Sequence, residues 1–287
     1  MTERHEFRIA GKKLSSPLVG ASGLFSFGYD IPRSFLDGFS VVVLKTVTLR
    51  PSEGNPHPRI AEVPSGIVNS IGLENPGWET FQREIYPLVK GNFNREPYFM
   101  VSVASKATDA KEMVSSLKVD IPLLEVNLSC PNVGDELIAE DPAASAEVVS
   151  IWKNALRNSF VVAKLPPFVS SKLFLKVVDS VLESGADGIS FSNTLPVVPV
   201  SLETGEPLLG NLFGGYSGTI LFYMTLRNLK ILKRHHPDLF VIAGGGVESA
   251  LQVRILLDEG ASLVFIGNAF SRKPFIAREI LEEFVEN

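Results

Sequence analysis

A strand–helix–strand pattern runs from residue 122 to residue 165: PLLEVN (122–127), AASAEVVSIWKNALR (143–157) and FVVAKL (160–165). The two outer segments are short, apolar and rich in β-branched residues, which is typical of parallel strands that are buried on both faces. The middle segment has the spacing of an amphipathic helix. This stretch therefore predicts a parallel β-α-β unit.

The same alternation continues along the rest of the chain. Further strands are predicted at 17–21, 41–46, 98–103, 187–193, 239–243 and 263–267, and further helices at 109–118, 170–185, 219–235 and 247–260. Eight strands that alternate with helices in 287 residues predict an α/β fold, a (β/α)8 TIM barrel, with a doubly wound open sheet as the alternative. Because no linker or low-complexity segment interrupts the pattern, we expect residues 1–287 to form one domain.

Composition excludes several classes of protein. The formal net charge of −5 argues against a general nucleic-acid binder. A single cysteine cannot form an internal disulfide, an iron–sulfur cluster or a Cys-rich zinc site by itself, and the four histidines have no metal-ligand spacing. No metal site is predicted. The polar N-terminus has no signal-peptide pattern, and no apolar run approaches the roughly 20 residues of a membrane helix. We expect a cytoplasmic protein.

Two connections are much longer than the rest. Residues 47–96 and 194–215 are rich in Pro, Gly and Asn and are too long for ordinary barrel connections. We expect both to extend over the C-terminal face of the barrel, where active sites of this fold lie.

Polar side chains follow the predicted strands at that face. They are Ser22, Lys45, Thr46, Ser102, Asn127, Cys130, Asn132, Lys164, Ser192, Asn193 and Thr194. Glycine-rich turns also follow strands, at AGGGV (243–247) and IGNAF (266–270), and a third is predicted at GGYSG (214–218). Glycine allows backbone N–H groups to approach an anion closely, so the turns favour a phosphate-bearing cofactor or substrate.

The side chains themselves suggest a chemistry. Lys45 and Lys164 end apolar strands, where each could neutralise an anionic group or form a Schiff base. Side-chain amides, at Asn69, Asn127, Asn132 and Asn193, carry both a donor and an acceptor and suit the edge of an imide ring. Cys130 could be a nucleophile or a general base, although no histidine is close to it in the sequence.

Together, NSIGLENPG (69–77), EVNLSCPN (125–132), SNT (192–194), the glycine turns and the two lysines resemble class 1 dihydroorotate dehydrogenases. The resemblance implies an FMN enzyme on a (β/α)8 barrel that oxidises (S)-dihydroorotate to orotate in de novo pyrimidine (UMP) biosynthesis. Cys130 would take the C5 proton as general base, and the C6 hydride would pass to flavin N5. Lys45 would lie between flavin and substrate, and Lys164 would stabilise negative charge on the reduced flavin.

The resemblance also assigns the binding residues. The substrate would be held by Lys45, Asn69, Ser70, Ile71, Gly72, Leu73, Asn127, Asn132, Asn193 and Thr194. The FMN would be held by Ser22, Lys45, Thr46, Ser102, Asn127, Lys164, Ser192, Ser217, Gly218, Gly245, Gly246, Gly267 and Asn268. Ser102 stands where an asparagine is usual, and VGDELIAEDP (133–142) is shorter and more acidic than the usual loop.

Within class 1, NSIGLENPG is closer to type B than to the fumarate-linked type A. Type B implies a partner subunit that carries FAD and a [2Fe–2S] cluster and passes electrons to NAD, around a homodimer core in a heterotetramer. Two alternatives remain: a related FMN dihydropyrimidine oxidoreductase with another substrate, and a flavin-free Schiff-base aldolase that uses Lys164. A degenerate barrel that serves only as a scaffold is a third interpretation.

Overall fold

The structure is a computed structural model that describes residues 6–129 and 137–286. Its centre is a closed barrel of eight strands: β1 (Leu18–Gly20), β2 (Val41–Val43), β3 (Tyr98–Val103), β4 (Leu123–Asn127), β5 (Phe160–Lys164), β6 (Gly188–Phe191), β7 (Val241–Gly244) and β8 (Leu263–Ile266). Neighbouring strands are parallel, and β8 pairs with both β7 and β1. The predicted (β/α)8 barrel is therefore confirmed, and the open-sheet alternative is wrong.

The connecting helices surround this barrel. They are α1 (Ala107–Ser115), α2 (Pro142–Ala155), α3 (Ser171–Glu183), α4 (Ile220–His235), α5 (Ala250–Asp258), α6 (Ala269–Arg272) and α7 (Ile276–Glu286). Asp141 caps α2 by accepting hydrogen bonds from the N–H groups of Ala143 and Ala144 at 2.8 and 3.2 Å. None of the helices in the described ranges combines the length and the apolar composition that crossing a bilayer requires.

An irregular helical segment precedes β3. It consists of the helix Trp78–Thr80, a π-helical stretch Phe81–Ile85, the helix Tyr86–Val89 and a 3-10 turn Lys90–Phe93. Pro87 has no N–H to donate, which accounts for the interruption of regular α-helical bonding before it. Trp78 is buried and stacks on Phe81, with ring centroids 5.7 Å apart, so the segment is anchored to the barrel despite its irregularity.

The barrel interior has an apolar lower part. Successive side chains of a strand point to opposite faces, so alternate residues of each strand point inward. The inward apolar cluster contains Val19, Val41, Val43, Met100, Leu123, Val162, Ile242, Leu263 and Phe265. A short N-terminal hairpin, Arg8–Ile9 with Lys12–Lys13, adds Ile9 and Leu14 to the same cluster. It closes the end of the barrel opposite the predicted site.

The upper interior is polar. Ser102, Glu125, Lys164 and Ser190 are all buried near the C-terminal ends of their strands. The pairing of β4 with β5 sets Glu125 opposite Val162 and Asn127 opposite Lys164. Glu125 therefore lies about one interior layer below Lys164.

The two long excursions join in one antiparallel sheet. Its strand order is Leu195–Val197, Gly214–Gly218, Gly66–Asn69 and Ile60–Val63, and Asn69 pairs with Gly215. The prediction of a turn at 214–218 is therefore wrong. The glycines there serve close strand packing, because a Cβ on Gly66 would meet Ser217 O at 2.2 Å.

Candidate active site

A row of hydroxyl groups crosses the C-terminal end of the barrel from β1 to β4. Ser22 Oγ lies 3.1 Å from Thr46 Oγ1, which lies 2.9 Å from Ser102 Oγ. Ser102 donates to Glu125 Oε1 at 3.0 Å. Because a hydroxyl carries one proton, Ser102 must accept from Thr46, whereas Ser22 donates to Leu44 O at 2.8 Å, so only Thr46 and Ser102 are directed toward the carboxylate. Ser102 is fully buried, so it lies beneath the surface of the site.

Lys164 and Glu125 form a buried ion pair at the floor of the site. Lys164 Nζ lies 3.7 Å from Glu125 Oε1, and Ser190 Oγ donates to Glu125 Oε2 at 3.4 Å. Lys164 Nζ also lies 5.9 Å from the centroid of the Phe265 ring. The side chain of Glu125 is 0% exposed and that of Lys164 is 8% exposed. The lysine therefore reaches the open end of the barrel with its counter-charge below it.

Ser129 connects two of the predicted asparagines. Asn127 Oδ1 accepts hydrogen bonds from Ser129 N and Ser129 Oγ at 3.1 and 2.9 Å. Asn193 Nδ2 donates to Ser129 Oγ at 2.6 Å, and Asn193 Oδ1 accepts from Thr194 N at 2.8 Å. The amides of β4 and of the loop after β6 are thus brought together. Cys130 and Asn132 lie outside the described residues.

Lys45 is paired with an acidic side chain of the first excursion. Its Nζ lies 3.3 Å from Glu74 Oε2, and Arg59 NH1 lies 3.3 Å from the same oxygen. Arg59 is held in turn by the carbonyl oxygens of Asn55 and Glu53 at 2.5 and 2.6 Å. The mouth of the barrel therefore carries two cations against one carboxylate at this point.

The segment 69–73 is shaped by tight backbone contacts. Asn69 Nδ2 lies 3.4 Å from Gly215 O, and Ser70 Oγ accepts from Asn55 Nδ2 and Asn211 Nδ2 at 2.7 and 3.2 Å. After Ile71 the chain turns through two residues with positive φ, Gly72 and Leu73. The predicted substrate-binding residues 69–73, called the wall below, therefore contact another part of the first excursion and also the second excursion.

Asn75 fixes the end of that wall. Its Nδ2 donates to Thr48 Oγ1 and Leu73 O at 2.7 and 2.6 Å, and its Oδ1 accepts from Gly77 N at 2.9 Å. Asn75 is buried. The second asparagine of NSIGLENPG thus has a structural role.

The predicted phosphate-binding turns converge. Asn268 Nδ2 donates to Ser217 O at 3.1 Å, which joins the turn after β8 to the second excursion. A Cβ on Gly246 would meet Gly218 O at 2.4 Å, so the turn after β7 packs directly on that excursion. Gly245 and Gly246 have φ values of +142° and +66°, which favour glycine. Asn268 Oδ1 is buried without a hydrogen-bond partner in the described part of the chain.

Ser192 and the glycine turn after β7 are joined by Thr225 of α4. Ser192 Oγ lies 3.0 Å from Thr225 Oγ1, and Thr225 Oγ1 donates to Gly244 O at 3.2 Å. Ser192 N donates to the same carbonyl at 2.6 Å. Within residues 6–129 and 137–286, no three His, Asp or Glu side chains are grouped so that they could hold a metal ion.

The chain matches one protein-family profile over almost its whole length. The sequence profile described as dihydroorotate dehydrogenase matches residues 5–287. The chain belongs to the dihydroorotate dehydrogenase family. The family resemblance predicted from the sequence motifs is therefore confirmed.

Curated relatives narrow this family. The "dihydroorotate dehydrogenase B (NAD(+)), catalytic subunit" of Streptococcus pneumoniae serotype 4 is 33% identical over 98% of this chain and 91% of the relative. The protein of the same name from Desulforudis audaxviator is 35% identical over 96% of this chain and 91% of the relative. The prediction of type B rather than type A agrees with these names.

A solved structure supports the fold. The dihydroorotate dehydrogenase of Eimeria tenella, crystallised with ferulenol, superposes with a TM-score of 0.80 over 98% of this chain and 84% of that one. Its sequence is 21% identical, so this likeness concerns the barrel architecture alone.

Several residues of the candidate site were not predicted: Arg59, Glu74, Glu125, Ser129, Ser190 and Thr225. A charged residue inside the apolar run PLLEVN is a usable signal, because Glu125 shares its face with the strand-end Asn127. Ser129 lies within the motif EVNLSCPN itself. Arg59 and Glu74 gave no such signal, because their pairing with Lys45 depends on how the first excursion folds back.

Proposed function

We propose that this chain oxidises (S)-dihydroorotate to orotate in pyrimidine biosynthesis, using bound FMN. The observation that carries the proposal is the joining of Asn127, Ser129 and Asn193 above the Lys164–Glu125 pair, in a chain of this family. Amides with both donors and acceptors suit a pyrimidine ring, and a cation at the floor suits an acceptor that becomes negative on reduction.

The residues at the predicted phosphate turns fit FMN. Three glycine-containing segments meet there, and the buried Asn268 Oδ1 lacks a hydrogen-bond partner among the described residues. A Cβ on Gly267 would meet nothing closer than Ala21 Cβ at 4.0 Å, so packing within the chain does not require glycine at that position. Close approach of a phosphate is a reason for it. Ser217, Gly218, Gly245, Gly246, Gly267 and Asn268 would hold the phosphate end.

The roles of the remaining residues follow from their chemistry. FMN, when bound, supplies the acceptor for the hydride that leaves C6 of the substrate. Cys130 removes the C5 proton as a thiolate. A cysteine thiol can lose its own proton without help from a histidine, and the resulting thiolate is the base. Asn69, Asn127, Asn132 and Asn193 orient the ring, and Lys45 binds its carboxylate. The wall 69–73 excludes water from the pocket.

Electrons leave through a second protein in this proposal. The curated relatives are named catalytic subunits of an NAD-linked enzyme. The chain has one cysteine and cannot ligate an iron–sulfur cluster by itself. An FAD- and [2Fe–2S]-bearing partner, in a heterotetramer around a homodimer of this chain, is the corresponding assembly. In that assembly, residues 1–287 would form a single FMN-binding domain.

The flavin-free aldolase is disfavoured by the surroundings of Lys164. Schiff-base formation needs an amine that is free to attack a carbonyl, whereas Lys164 Nζ lies in an ion pair 3.7 Å from the buried Glu125 carboxylate. A dihydropyrimidine oxidoreductase with a different substrate is the remaining competitor. It would use the same amides but would gain less from Lys45, because a ring without a carboxylate carries no matching charge.

A visible spectrum of the purified chain tests the proposal. We expect a flavin spectrum that is bleached by anaerobic addition of dihydroorotate, while dihydrouracil at the same concentration leaves it unchanged. Bleaching by dihydrouracil but not by dihydroorotate would support the competitor. A protein that stays colourless after incubation with FMN would overturn the cofactor assignment.

A further inference from the structure

Glu125 is a buried carboxylate to which the proposed mechanism gives no role. Among residues 6–129 and 137–284, Glu125 and Lys164 are the only charged side chains that are buried. Glu125 lies opposite Val162 at the edge of the inward apolar cluster, which also contains Leu123. Burying a carboxylate there is unfavourable unless it is paired and hydrogen-bonded. Packing alone therefore does not explain why a glutamate stands at this position in the barrel interior.

Every group that contacts this carboxylate is a donor or a cation. Ser102 and Ser190 donate to its two oxygens at 3.0 and 3.4 Å, and Lys164 Nζ lies 3.7 Å from Oε1. The Thr46 hydroxyl is directed at Ser102, which leaves the Ser102 proton for the carboxylate. The Lys164 cation and the two hydroxyl donors together supply the partners that a buried carboxylate needs.

The other elements around the pair contribute no competing charge. The segment after β2 contributes Thr46, β3 contributes Ser102, β6 contributes Ser190 and β8 contributes Phe265. The nearby titratable groups of the mouth, Lys45, Arg59 and Glu74, pair with one another, and Cys130 lies outside the described residues. Within the described residues, Lys164 thus has Glu125 as its carboxylate partner.

We propose that Glu125 is a positioning residue that holds Lys164 protonated beneath the cofactor in both of its redox states. This inference rests on the proposed function. Without a counter-charge, burial disfavours the ammonium while the cofactor is oxidised and neutral, and the reduced, anionic cofactor favours it again. With Glu125 in place, Lys164 keeps its proton throughout. Reduction of the cofactor then takes up no proton at Lys164.

The Glu125→Gln variant leaves Lys164 without its counter-charge and so tests what Glu125 does. Two-electron reduction of a flavin to its anionic form takes up one proton. In the variant, reduction of the cofactor also brings a proton to Lys164, so the midpoint potential of the bound FMN should fall more steeply with pH than in the unaltered protein, by up to about a factor of two. We also expect the Kd for oxidised FMN to rise roughly fivefold to tenfold, because Lys164 is no longer fixed.

Glu112→Gln is the matched control. Glu112 is an exposed residue of α1, and its substitution makes the same chemical change away from the barrel interior. It should leave both the potential and the Kd unchanged. A folded Glu125→Gln protein whose potential has the ordinary pH dependence, while it still oxidises dihydroorotate, would overturn the inference and leave the proposed function intact.

A second comparison uses the FMN-free protein and does not require Glu125→Gln alone to fold. Lys164→Met leaves the buried carboxylate of Glu125 without its cation, so the Tm of this variant should fall by roughly 5–15 °C. The loss should shrink as pH is lowered, because protonation removes the unpaired charge. Adding Glu125→Gln to Lys164→Met should restore much of the lost Tm.

Equal Tm values for Lys164→Met and the double variant at every pH would overturn the pairing of Glu125 with Lys164. If the unaltered chain bound no FMN, the proposed function would fall, whereas this thermal comparison would still decide whether the two side chains act as a pair.

Discussion

The ammonium of Lys45 lies 3.3 Å from the carboxylate of Glu74. The two side chains are 24% and 49% exposed, so the pair is screened by solvent and contributes little to stability. Glu74 thus places a carboxylate beside the lysine that is proposed to bind the substrate carboxylate. The two carboxylates compete for one cation.

Removing the charge of Glu74 should therefore tighten the binding of anionic ligands. In Glu74→Gln, the Kd for orotate should fall roughly twofold to fivefold at low ionic strength, in line with the small free energy of exposed ion pairs. Fluorescence or absorbance titration of the flavin measures this Kd. The difference should shrink in high salt, because the interaction is screened.

The exposed Glu62, on the strand Ile60–Val63 of the same excursion, provides the control. Glu62→Gln should leave the Kd unchanged. Orotate binding that is equal or weaker in Glu74→Gln at low salt would contradict the competition.

Cys130→Ser tests the general base. Serine is a much weaker acid than cysteine and gives up its proton less readily, so reduction of the flavin by dihydroorotate should slow by at least about 100-fold at pH 7. Part of the rate should return as pH rises. Anaerobic stopped-flow absorbance measures the step directly. A rate at pH 7 equal to that of the cysteine enzyme would remove Cys130 from this role.

Two glycine substitutions separate packing from phosphate binding. Gly267→Ala introduces a Cβ with no protein atom closer than 4.0 Å, so its free energy of unfolding should change by less than about 0.5 kcal/mol. If a phosphate approaches this backbone, the Kd for FMN should nevertheless rise at least tenfold or so.

Gly246→Ala is the contrasting variant. Its Cβ would meet Gly218 O at 2.4 Å with φ at +66°, so it should lose about 1–3 kcal/mol of stability together with FMN binding. Thermal unfolding and FMN titration of both variants test this pair of predictions. Unchanged FMN affinity in a folded Gly267→Ala protein would exclude close phosphate contact at that turn.

Tyr86 makes the stability of the folded protein depend on pH in the alkaline range. Burial, together with the nearby negative charge of Asp120, raises the pKa of the Tyr86 phenol, which donates a hydrogen bond to Asp120 O at 2.7 Å. A raised folded pKa means that the stabilisation is complete below the unfolded value of about 10 and is lost as pH rises through the folded pKa.

The Tyr86→Phe variant should therefore be less stable than the unaltered protein near pH 8, by about 1 kcal/mol for the lost hydrogen bond. The gap should narrow above about pH 10, where the phenol of the unfolded chain ionises before that of the folded protein. Urea unfolding across this pH range measures it. A gap that stays constant up to pH 11 would contradict the shift of the Tyr86 pKa.

The barrel could be predicted because its strands are buried on both faces and therefore are continuous apolar runs. Each of the eight predicted strands overlaps one strand of the barrel, and only Val241–Gly244 extends past its predicted range, by one residue. The strand at Gly214–Gly218 was missed because its residues have turn-forming composition. Its extended conformation comes from pairing with Gly66–Asn69, which is about 150 residues away in the sequence.

The candidate site could be predicted only in part. Strand-end residues such as Lys164 and Asn127 follow from the rule that parallel strands end at one face. Which carboxylate faces which lysine depends on strand register and loop folding. Glu125 reaches Lys164 through the pairing of β4 with β5, and Glu74 reaches Lys45 through the return of the first excursion.

The shared antiparallel sheet has a consequence for the inheritance of substrate preference. The wall at residues 69–73 begins at Asn69, which pairs with Gly215, and the central pair of strands in the sheet takes one strand from each excursion. The two excursions therefore form one exchangeable module encoded in two distant stretches of the gene. A chimera that receives residues 47–96 from a relative should need residues 194–218 from the same donor to rebuild the pocket.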